Sequence, residues 1–236
     1  MWRADGWWRW WRADTAGAPR WLIPLATAAL AATVAFVLWS PQSHLRLARP
    51  APTVLFIGDS YSSGAGASTK EKRWTTLVSG QEGWVERNAA LGGTGYVAES
   101  GPAGCGKEYC PPYRAALDAY FDANGAPDVV VVSGGRNDLG KPGVSAAVTE
   151  FWDDLCRRSG VSVIVTSPLW HSAKEPASLV ELADQIRSES GRCGARYLDL
   201  GQPLDRPSLL AEDGVHPNDA GHAAIARAFT AALGSQ

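Results

Sequence analysis

Ser60 lies in VLFIGDSYSSGAG, residues 54–66, directly after a run of strand-forming residues and before a stretch rich in glycine and serine. A serine hydroxyl is a poor nucleophile near neutral pH until a base takes its proton, so chemistry at Ser60 requires a histidine, and that histidine requires a group to orient it. The chain has four histidines. His44 falls in a proline-rich connection, His171 follows a strand in SPLWHS where it can line a site, and His222 reads as a helix-surface or packing residue. His216, in DGVHPN, is the best base. Asp213 stands three residues upstream across a glycine-containing turn, and Pro217 holds His216 out of the helix that follows. Ester hydrolysis also needs hydrogen-bond donors set in place for the oxyanion. NAALGGTGY (88–96) offers bare glycine N–H groups, and SGGRNDLG (133–140) presents the amide of Asn137. Taken singly, a Gly-Gly pair is usually only a turn, and Asn-Asp after a strand is usually a cap or an Asx-turn.

Elements must carry these residues to one place. Five β-rich runs, TVLFI (53–57), WVERNAA (84–90), DVVVVS (128–133), VSVIVTS (161–167) and ARYLDL (195–200), alternate with helical stretches. Three of the runs are almost continuously apolar, as strands buried on both faces are, which predicts a mostly parallel sheet covered by helices. Helices are predicted over 111–125, which opens on prolines and stops at Gly125, over 144–160 and 178–191, and over 217–233 with Asn218 as its cap. The reading is an α/β sandwich over residues 53–236 without an internal domain boundary. In such a sheet, sites form beyond the C-terminal ends of the strands, where Gly58-Asp59-Ser60 stands after the first.

Gly58-Asp59-Ser60, Gly93, Gly135-Arg136-Asn137-Asp138 and Asp213-Gly214-Val215-His216 together resemble the four ordered signature blocks of the SGNH, or GDSL, hydrolases. The resemblance covers residues 53–236 and implies a three-layer, flavodoxin-like sandwich with a five-stranded mostly parallel sheet. It implies Ser60 as nucleophile, His216 as base and Asp213 as its orienting partner. The oxyanion hole would be made by Ser60 N–H, Gly93 N–H and the Asn137 side chain, Gly93 being preferred to Gly92 by its spacing from Asn88. Tyr61 stands where many members have Leu, and this variant looks like actinobacterial secreted esterases of the family, some of which replace the acid with a backbone carbonyl. Asp59 is expected to fix the turn by local hydrogen bonds. The implied reaction is a two-step acyl transfer without metal or organic cofactor, on a small-molecule or glycan ester. An O-acetyltransferase using the same acyl-enzyme, and a non-catalytic carbohydrate-binding module of the same fold, remain as alternatives.

The 236-residue chain is polarised in charge. Residues 1–52 hold six Arg and two Asp, leaving 16 basic and 22 acidic residues beyond them, a net −6. An acidic domain without a basic stripe argues against nucleic acid as a partner. Residues 21–39 carry no charge across 19 positions and are bracketed by Trp21 and Trp39, which predicts a transmembrane anchor in preference to a cleaved signal peptide. Residues 1–20 form a Trp/Arg-rich segment, in which Trp-Arg-Ala-Asp occurs twice, and 40–52 a linker. Four Arg before the span against two after it place the N-terminus in the cytoplasm and the hydrolase domain outside. Cys105, Cys110, Cys156 and Cys193 would then lie in an oxidising compartment and form disulfides. Three connectivities are possible. Cys105 with Cys110 is favoured, leaving Cys156 with Cys193, and the close CxxC pairs of structural zinc sites are missing.

Overall fold

The computed structural model describes residues 50–235 except position 159. The segments 1–20 and 21–39, and most of 40–52, therefore lie outside the described residues. Among the described residues no helix is long and apolar enough to cross a membrane.

Val54, Leu55, Phe56 and Ile57 form the centre of β1 (Thr53–Gly58) and all four are buried. Because successive side chains of a strand point to opposite faces, such a run serves two apolar layers at once. Leu55 and Ile57, with Val130 and Val132 of β3 (Val129–Ser133), pack against α4 (Tyr113–Asn124), α5 (Val144–Cys156) and α6 (Ala177–Gly191). Val54 and Phe56 face the other way, onto Trp74 and Val78 of α2 (Trp74–Glu82) and Ile225 and Phe229 of α7 (Asp219–Gly234). Residues Ala51–Gln236 form one compact unit.

With β2 (Val85–Asn88), β4 (Ser162–Thr166) and β5 (Arg196–Leu198), the sheet has the order β2-β1-β3-β4-β5 and every pairing is parallel. The expectation of a mostly parallel sheet is sharpened to an all-parallel one. Two short helices, α1 (Ser60–Ser63) and α3 (Pro102–Cys105), sit in loops beyond strand ends. Register places the end of β1 beside the end of β3, with Gly58 opposite Ser133, so the loops carrying Ser60 and Asn137 leave the sheet as neighbours. Both predicted disulfides form, Cys105 with Cys110 and Cys156 with Cys193, at Cα separations of 6.5 and 4.9 Å. Asn218 caps α7 as predicted, its side-chain oxygen accepting from Ala220 N and Gly221 N.

Candidate active site

Ser60 is the first residue of α1, and Asp59 is that helix's N-cap, its carboxylate accepting from Tyr61 N at 3.0 Å. The local hydrogen bond expected of Asp59 is present. The carboxyl is only 2% exposed, and burial pushes it up to about 6 against the pull of that bond and of the Arg136 charge. The sign for stability follows. Below pH 4 both folded and unfolded chains carry the proton. Between pH 4 and 6 the unfolded chain releases it while the fold retains it, so stability falls as pH rises, and the full penalty holds above 6. Asp59→Asn keeps the cap acceptor without the charge. It is expected to stabilise the protein at pH 7.5 by on the order of 2–3 kcal/mol, measured by denaturant unfolding, with the gain vanishing near pH 4. Equal stability of the two proteins across that range would show that the buried carboxyl carries no such penalty.

The base candidate is built by a ten-residue hairpin. Asn218 N donates to Leu209 O at 2.9 Å and Ala211 N to His216 O at 2.7 Å, while Gly214 N closes a turn onto Ala211 O at 3.0 Å. Asn218 braces the base of this hairpin through Nδ2, which donates to Leu210 O and Ser208 O. At its tip one carboxylate oxygen of Asp213 accepts from Val215 N and His216 N, both at 2.9 Å, and the other lies 2.5 Å from His216 Nδ1. These bonds, first that from the His216 ring, hold Asp213 down at about 2. An ionised carboxylate on Nδ1 fixes the neutral ring as the Nδ1–H tautomer, leaving Nε2 free to accept a proton.

Ser60 and His216 are joined through their neighbours. Tyr61 Oη donates to Val215 O at 2.6 Å, and the rings of Tyr61 and His216 stand 6.0 Å apart between centroids. Among the described residues Ser60 Oγ makes no hydrogen bond to His216 Nε2. In serine hydrolases that bond commonly tightens when substrate is bound.

The three oxyanion candidates stand on the loops after β1, β2 and β3, which are neighbours in the sheet. Asn137 Nδ2 donates to Thr94 O at 3.0 Å, which sets its amide at the residue after Gly93, and among the described residues its second amide proton has no acceptor. Gly93 has φ of 75°, a left-handed conformation that suits glycine. Among the described residues neither Ser60 N nor Gly93 N donates to a protein acceptor. The Gly92-Gly93 turn is backed by the loop that the Cys105–Cys110 disulfide closes. Ser100 Oγ donates to Gly92 O at 2.5 Å, and Ser100 exchanges two backbone bonds with Cys110.

The profile of the GDSL-like lipase/acylhydrolase family matches residues 56–224, which include all four blocks. The chain belongs to this family. The acylhydrolase is 32% identical over 189 residues to a GDSL lipase of Mycobacterium tuberculosis, covering 73% of this chain and 78% of that lipase. Its fold is similar to that of LAE5, an alpha/beta hydrolase enzyme from the metagenome of Lake Arreo, Spain, with a TM-score of 0.55, 22% identity and coverage of 78% of this chain and 95% of that one. It is similar also to Axe2, an acetylxylan esterase from Geobacillus stearothermophilus, with a TM-score of 0.55, 17% identity and the same coverage, 78% and 95%.

Sequence reasoning left two parts of this acylhydrolase's site unassigned. The Asp138 carboxylate is buried and accepts from Tyr96 N, Val97 N and Ala98 N at 2.8–3.0 Å, tying the second block to the third. Arg136 stacks between the rings of Tyr61 and Trp170, each centroid 4.7 Å from its guanidinium carbon. His171, expected to line the site, meets Arg136 Nη2 at 3.1 Å. The fully buried His222 bridges Ala65 O and Trp74 N, so it is a packing residue and not a surface one. His44 lies outside the described residues.

Proposed function

We propose that this ester hydrolase removes acetyl or short-chain O-acyl groups through an acyl-enzyme on Ser60. His216 Nε2 takes the proton as Ser60 Oγ attacks the ester carbonyl, and the oxyanion is met by Ser60 N–H, Gly93 N–H and Asn137 Nδ2. Collapse breaks the ester bond, and the proton held by His216 goes to the departing alcohol oxygen. Water, deprotonated by the same ring, then releases the acid and restores Ser60. Asp213 holds the ring in the required tautomer throughout. The observation that carries the reading is the Asp213–His216 pair, 2.5 Å apart and anchored by the Tyr61–Val215 bond to the residue after Ser60.

The domain boundaries 1–20, 21–39, 40–52 and 53–236 belong to the same proposal, with residues 21–39 anchoring the enzyme in the membrane and its hydrolase domain outside the cell. A fold shared with an acetylxylan esterase is in keeping with an O-acylated sugar as substrate. The test is turnover of acetyl, butyryl and longer acyl esters by the full-length protein, with and without a sugar acceptor. Acid release that falls with chain length and is undiminished by acceptor is expected. Transfer of the acyl group to the sugar would make the enzyme an acyltransferase, and preference for long chains would overturn the short-chain assignment.

A further inference from the structure

Arg136 has an unusual setting for a cation in this acidic body. Arg73, Arg114, Arg157, Arg158, Arg187 and Arg192 all reach a carboxylate, as in the pair of Arg73 with Glu86 at 2.9 Å. Among the described residues Arg136 reaches none, and neither do Arg87, Arg196 and Arg227, but of these four Arg136 alone lies over two aromatic rings. Its guanidinium is half-buried between two aromatic rings, Nη1 donating to Tyr61 Oη and Nη2 to His171 Nδ1. A guanidinium can only donate, so His171 Nδ1 accepts and the neutral ring carries its proton on Nε2. Burial and the adjoining Arg136 charge both lower the proton affinity of this imidazole, which keeps it neutral. The Nε–H of Arg136 and the second proton of each Nη thus form a pre-oriented set of donors without a carboxylate, held in place by Tyr61, Trp170 and His171.

The position of this set decides which half of a substrate it meets. Arg136 joins Tyr61, which binds Val215, the residue before His216, so the guanidinium is tied to the hairpin that carries the base. His216 must stand next to the departing alcohol oxygen in order to protonate it. The geometry points to Arg136, oriented by His171, as the binding site for an anionic group, carboxylate or phosphate, on the alcohol half of the ester. The inference rests on the esterase reading above and adds to it the charge of the substrate.

Matched aryl acetates test it. 4-Acetoxybenzoate and 4-acetoxyphenyl phosphate carry the charge on the alcohol half, and methyl 4-acetoxybenzoate is the neutral control. The ratio of kcat/KM between charged and neutral esters is expected to fall by about 10-fold to 100-fold in Arg136→Gln, the range of a hydrogen bond to a charged group. It is expected to fall only in part in Arg136→Lys, and to shrink in wild type as salt rises. The carboxylate and phosphate arms show which anion is preferred. Because the readout is a ratio, loss of Tyr61 positioning moves both rates together and leaves it unchanged. An unchanged ratio in Arg136→Gln would overturn the inference while leaving the esterase reading intact. On full-length Ser60→Ala, calorimetry reads binding without turnover, so the inference stays testable even if the esterase reading fails. There tighter binding of 4-acetoxybenzoate than of its methyl ester supports the anion site, and equal affinity contradicts it.

Discussion

Ser60→Ala leaves a folded protein whose ester turnover is lower by roughly 1,000-fold or more. The fold has little reason to notice the change. Ser60 is 8% exposed, and its side chain makes no hydrogen bond among the described residues. The backbone bonds that close α1, Ser63 N to Asp59 O and Gly64 N to Ser60 O, do not involve it. Alanine is also the better helix former at the first turn. A thermal midpoint within about 2 °C of wild type is therefore expected beside the lost activity. The size of the loss follows from the chemistry, because without Oγ no acyl-enzyme forms, and only binding and the oxyanion donors remain to assist water. Retention of more than a few per cent of turnover would place the nucleophile elsewhere.

The second large effect falls on stability. Asp138→Ala removes the side chain that, among the described residues, alone accepts from Tyr96 N, Val97 N and Ala98 N, of which Tyr96 and Ala98 are buried. Each orphaned buried donor costs about 1–3 kcal/mol, so a loss of about 3–5 kcal/mol is expected, equivalent to a fall of on the order of 10 °C in thermal midpoint. Gly95 shows how close the fit is, since a Cβ there would collide with both oxygens of this carboxylate. Asp138→Asn separates shape from charge. Its one oxygen can serve Val97 and Ala98, but its amide then faces Tyr96 N, donor against donor, so only part of the stability returns. A midpoint equal to wild type in Asp138→Asn would mean that the Tyr96 bond contributes nothing. Activity should fall with both variants, because the same loop carries Gly93.

Much of this was legible before the structure. The strands could be read because β1, β3 and β4 are short apolar runs ended by glycine, serine or threonine. The Asp213–His216 pair could be read because a single hairpin makes it, so its geometry is local in sequence. The same holds for Asn218, a side chain that caps the helix right after it. What resisted reading was non-local or masked by polarity. Helix α2 escaped because its buried residues include Thr75 and Ser79 beside Trp74 and Val78, which leaves no apolar stripe to recognise. Asp138 looked like part of an ordinary turn. Its three bonds reach residues 40 to 42 positions away, and they are made because the loop after β2 crosses the end of β1, with Leu91 N donating to Gly58 O, to reach the loop after β3. Arg136 offered one signal, a bulky cation set between the glycines and Asn137, but its sandwich depends on Tyr61 and Trp170 arriving from two other strand ends.

The account stands on Ser60 being activated by the imidazole of His216, and covalent labelling reads that activation directly. Full-length protein treated with a fluorophosphonate and digested for mass spectrometry should carry a single adduct on the peptide containing Ser60. In His216→Ala labelling should slow by orders of magnitude. A folded wild-type protein that stays unlabelled, or an adduct found on any other residue, would contradict the account.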